Sequence, residues 1–84
     1  MNETQNQEYV TTEFPLAVTL ICMELRLVAI RPNKEDQAKM EFVFSKEQLI
    51  EKMIAGYWQG SLRLDPKNFW NQSRELKSRI KTQA

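Results

Sequence analysis

The stretch TTEFPLAVTLICMEL, Thr11 to Leu25, decides the fold. The competing reading is a strand, on the strength of the β-branched Val18, Thr19 and Ile21. Read as a helix, it covers a sheet supplied by the residues that follow. The local signals favour the helix. Thr12 is a capping residue, and Pro15 falls in the first turn, where a proline removes no intrahelical hydrogen bond. Leu16, Ala17, Val18, Leu20, Ile21 and Met23 surround the axis without forming one stripe, so the helix should be buried on most sides, running to about Leu25.

Working outward, LRLVAIRP (Leu25–Pro32) alternates and is rich in β-branched residues. KMEFVF (Lys39–Phe44) sets Met40, Phe42 and Phe44 on one face and Glu41 on the other. These read as two antiparallel strands joined by the polar loop PNKEDQAK, whose tip should be mobile. Ser45 and Gln48 have capping-box spacing, and Phe44 can staple to Leu49. The helix they would start places Leu49, Ile50, Met53, Ile54 and Tyr57 on one face, tolerates Gly56 and ends at Gly60. SLRLD is then a short third strand or an extended linker. Asp65 and Pro66 open the last helix as N-cap and first residue, with Phe69, Ser73, Leu76 and Ile80 as its core stripe. The expected fold is α+β: a small antiparallel sheet of two or three strands packed with three helices, in the order α-β-β-α-(β)-α. Residues 1–10 read as a flexible N-terminal tail and 11–84 as a single domain.

Composition excludes several chemistries. There is no histidine and one cysteine, so the commonest general base and a conventional zinc site are both missing. Cys22 lies in the most apolar segment and reads as structural, with no base beside it. Both glycines belong to a helix and its end, which leaves no phosphate-cradling loop. Glu47 and Glu51, one turn apart, offer a weak cation site at most. No converging set of tuned groups emerges, so we expect no enzyme, no cofactor and no small-molecule substrate. The acidic, polar start is unlike a signal peptide, and the longest apolar run is too short to span a bilayer. A cytoplasmic protein with no membrane partner is therefore expected.

Net charge is only +1, but the charges are segregated. Residues 1–25 carry −4, and residues 61–84 carry +4. The positive end holds the one distinctive surface. At 100° per residue, with Phe69 as zero, Trp70 projects near 100°, Lys77 near 80°, Lys81 near 120°, Arg74 near 140° and Lys67 near 160°. Glu75 projects near 240°, so no acid falls in that sector. Three ordinary effects could account for the pattern: a tryptophan at the core margin, Arg74 stacked on its ring, and cations complementing the helix dipole. A functional account is an aromatic platform in a basic stripe, which suits single-stranded nucleic acid, or duplex backbone contact by the same cations. An acidic protein partner would also fit. The expected nucleic-acid-binding residues are Lys67, Trp70, Arg74, Lys77 and Lys81, with Arg63 nearby. Trp58 either packs under QGSLRL or stays exposed; if exposed, it and Tyr57 would mark a protein-interaction surface, for a larger partner or a second copy.

The block EFVFSKEQLIEKMIAGYWQGSLRLDPKNFWNQSRELKSRI (residues 41–80), with the TTEFPLA opening, resembles a small prokaryotic family classed only as a domain of unknown function, over roughly residues 11–81. The resemblance implies the α+β fold and a bacterial or mobile-element origin. It implies no activity.

Overall fold

A computed structural model describes residues 8–83. Six elements follow one another: β1 (Glu8–Thr11), α1 (Phe14–Cys22), β2 (Leu27–Pro32), β3 (Met40–Ser45), α2 (Ile50–Gln59) and α3 (Pro66–Gln83). The strands form one antiparallel sheet in the order β1-β3-β2. This is an α+β fold with three strands and three helices.

The third strand is not SLRLD, which is irregular, but Glu8–Thr11. Glu8, Tyr9 and Val10 therefore belong to the sheet and not to a flexible tail; the rest of that expectation, residues 1–7, lies outside the described residues. Tyr9 faces Phe44 and Thr11 faces Phe42 across the β1–β3 pair. Partnership with a long central strand orders a segment whose own sequence is too short to announce itself.

α1 is helical as expected, but its start differs. Thr12 does not cap it: the residue before the helix is Glu13, whose backbone N–H is held by the Thr11 hydroxyl at 3.1 Å. Leu16, Ala17, Val18, Thr19 and Leu20 are all buried, five in a row. That explains the missing stripe, because the sheet, α2 and α3 all lie against this helix. Thr19 is the polar member of the run, and its hydroxyl donates to the Pro15 carbonyl at 2.8 Å. Phe14 meets Phe42 edge-on, with ring centroids 6.2 Å apart. Burying each of Leu16, Val18 and Leu20 is worth about 2 kcal/mol.

The β2–β3 hairpin forms as read, with a bulge. Leu27 pairs with Phe44 and Ala29 with Val43, so Val28 is the extra residue. Strict alternation would send Leu27 and Ile30 to opposite faces. The bulge lets both pack with the core and leaves Val28 half exposed. Side-chain hydrogen bonds tie the connecting loop. The Asn33 side-chain oxygen accepts from the backbone N–H groups of Glu35 and Asp36, and its amide donates to Glu41 at 2.8 Å.

α2 begins later than its sequence suggests. The capping box of Ser45 and Gln48 does not form, because Ser45 is the last residue of β3, opposite Glu8 in β1. Its N–H bonds the Arg26 carbonyl at 3.0 Å. Leu49 precedes the first helical residue and is 56% exposed, not part of the core. Gly60 closes the helix in the left-handed conformation, as read.

Candidate nucleic-acid interface

α3 starts where Asp65 and Pro66 place it: the Asp65 carboxylate accepts the Asn68 N–H at 3.1 Å. Ser73 and Leu76 are buried, and Phe69 and Ile80 pack against the core from the same face. Seating that stripe turns the basic sector outward. Lys67, Arg74, Lys77 and Lys81 are exposed, and Trp70 is 59% exposed.

One of the ordinary explanations for Trp70 finds no support: among the described residues Arg74 makes no cation–π contact with it, and the ring stays more than half exposed. The cation that does sit on an aromatic face is Lys77, whose Nζ lies 5.8 Å from the centroid of Phe14. This contact ties the basic stripe to α1. Among the described residues, the ion pairs are Arg31–Glu41 at 2.9 Å and Lys46–Glu51 at 3.9 Å, and neither involves a cation of α3.

Arg74, Lys77 and Lys81 come together with Ser78 around a shallow notch of about 340 Å³. Lys67 and Arg63 do not line it. Lys67 lies in the first turn of α3, and Arg63 is exposed in the irregular segment before it. Ser78 is the residue that sequence reasoning missed. Its position one residue beyond Lys77 and three short of Lys81 was the available signal.

Trp58 stays exposed, at 62%, with its ring edge-on to Tyr57 at 4.9 Å. Leu62 packs on Gly56 instead, so closely that a Cβ there would lie 2.8 Å from Leu62 Cδ2. Beside this contact, Leu49, Met53, Gly56 and Leu62 line an apolar groove that includes Lys52 and Gln59. The groove is on the other flank of α2 from Trp58. Its sequence signal was a glycine inside a helix followed by SLRL, which reads as a close approach once the connection folds back.

The remaining chemistry is sparse. Burial raises the Cys22 thiol above its ordinary pKa, and the charge of Asp65 pushes in the same direction, so the thiol is held protonated. Among the described residues no group of three or more Cys, Asp or Glu side chains is placed to hold a metal. Among the described residues no helix is long and apolar enough to cross a membrane.

No curated protein and no solved structure matches the chain. Residues 6–82 match the family described as Domain of unknown function (DUF5659), a span that takes in every strand and helix up to the last turn of α3, and the chain belongs to that family.

Proposed function

We propose that this chain is a small, non-enzymatic nucleic-acid-binding accessory protein of the cytoplasm, acting through the basic, Trp-containing face of α3. One observation carries the reading: Trp70 is 59% exposed in a sector of cations and makes no cation–π contact with its neighbour Arg74. A large apolar ring left in water costs free energy of the order of 1–2 kcal/mol unless a ligand covers it. Phosphates would meet Lys67, Arg74, Lys77 and Lys81, and Arg63 would extend the contact at the start of the helix. The test is intrinsic tryptophan fluorescence titrated with short oligonucleotides at low and then moderate salt, with polyglutamate as a competing polyanion. Quenching by the oligonucleotide that fades with salt is expected, with no matching response to polyglutamate. An equal response to polyglutamate would turn the search to an acidic protein.

A second reading is favoured by a separate observation. Trp58 is 62% exposed with its ring edge-on to Tyr57, which suits a protein-interaction module docking through Trp58 and Tyr57 to a larger partner or a second copy. Sedimentation across a range of concentrations tests the second copy directly. A monomer at every concentration, unchanged by Trp58→Ala, removes self-association.

A further inference from the structure

We infer that the nucleic acid this face takes is single-stranded, with a phosphate seated in the Arg74–Lys77–Ser78–Lys81 notch and an unpaired base stacked on Trp70. The inference rests on the nucleic-acid reading of α3 and narrows it. A duplex keeps its bases stacked on one another and offers a helix surface chiefly its phosphates, which would leave Trp70 without a role. A single strand offers both groups at once, and base stacking on an aromatic ring is how such strands are held without sequence preference.

The geometry suits that division. Trp70 precedes Arg74 by four residues, an axial rise of about 6 Å, a span that one nucleotide bridges. The cations do not form an even rail. Arg74, Lys77 and Lys81 border one notch with Ser78, its floor is mostly aliphatic stem, and Lys77 also reaches over Phe14, so a phosphate would meet the charges at the rim. The adjoining cleft, lined by Asn71, Arg74, Glu75, Ser78 and Arg79, shares Arg74 and Ser78 with the notch and sets one carboxylate against two arginines. From Lys67 to Lys81 the face is about 21 Å long, so it serves a short run of nucleotides at the lower end of single-strand site sizes.

The experiment uses the Trp58→Phe protein, in which Trp70 is the sole tryptophan, and two labelled probes followed by anisotropy. One is an oligothymidylate of about 12 nucleotides, and the other is a hairpin duplex of similar length. The expected result is that the single strand binds roughly tenfold tighter than the hairpin and quenches Trp70. Adding Trp70→Ala should then weaken the single strand about tenfold and leave the hairpin unchanged. Trp70 is exposed, so the fold should survive, and circular dichroism checks it. If the hairpin binds as tightly, or Trp70→Ala leaves single-strand affinity intact, the inference is overturned while the nucleic-acid reading stands. If neither probe binds at low salt, both fall together.

Discussion

Glu24 and Gly60 end α1 and α2 with the same backbone device. Each takes a left-handed conformation, φ 69° and 72°, and each helix closes with paired bonds: Glu24 and Leu25 to the carbonyls of Ile21 and Leu20, Gly60 and Ser61 to those of Tyr57 and Gly56. Glycine adopts this conformation freely, whereas a residue with a Cβ does so at a cost of about 1 kcal/mol. Glu24 also sets a negative charge at a helix C-terminus. Replacing Glu24 with Gly should therefore stabilise the fold by about 0.5–1 kcal/mol, seen as a higher urea midpoint with an unchanged slope. A lower midpoint would show that the Glu24 side chain contributes something these backbone bonds do not explain. Nothing in MEL announces this turn, which is why the sequence reads as helix through Leu25. A second residue carries a pH effect. Arg31, by its hydrogen bond, and Asn33 hold the Glu41 carboxyl below its ordinary range. A lowered folded pKa means stabilisation that is present above the unfolded value and lost as pH falls through the folded one. The difference in urea midpoint between wild type and Glu41→Gln should therefore be largest near about pH 7 and close towards about pH 3. A gap that persists in acid would assign the effect to shape and not to charge.

The elements differ in how far their own residues determine them, and two helix starts separate the cases. Asp65 caps α3 through a bond to Asn68, whereas Ser45 is held in β3 by pairing with a strand from the other end of the chain. Asp65→Ala should cost about 1 kcal/mol, and Ser45→Ala should stay within about 0.5 kcal/mol, both from denaturant unfolding. Equal losses would mean that α2 starts at the capping box after all. The contrast also marks what could be read in advance. α3, Gly60 and the hairpin rest on signals within a few residues of one another, and they are legible. β1 is four residues, EYVT, with no pattern of its own; it exists because β3 has an open side. Ser45 is held on both sides, opposite Glu8 of β1 and through its N–H to the Arg26 carbonyl, and α2 starts only at Ile50, with Leu49 outside the core. The bulge at Val28 is likewise settled by the partner strand, which needs Leu27 and Ile30 opposite Phe44 and Phe42.

On the scale of the whole molecule, charge and packing meet at α3. Helical angles alone put Trp70 beside the cations, so the makeup of this candidate face was legible. The reach of Lys77 over Phe14 was not, because it depends on how α3 lies against α1. Net charge is only +1, so attraction of a polyanion to the molecule as a whole is weak, and binding must depend on a local cluster. That makes the salt dependence diagnostic. Four phosphate contacts, by Lys67, Arg74, Lys77 and Lys81, give a slope of log affinity against log salt of about −3 for a single strand. Lys81→Gln should weaken binding and flatten that slope by about 0.7, one contact's share. Lys52, on α2 beside the apolar groove, has the same charge and no place on this face. Lys52→Gln should therefore leave both affinity and slope unchanged. The two variants alter net charge equally, so a difference between them can arise only from where the charge sits. If they behave alike, attraction is diffuse, and the face of α3 is a solvated helix surface with no binding role.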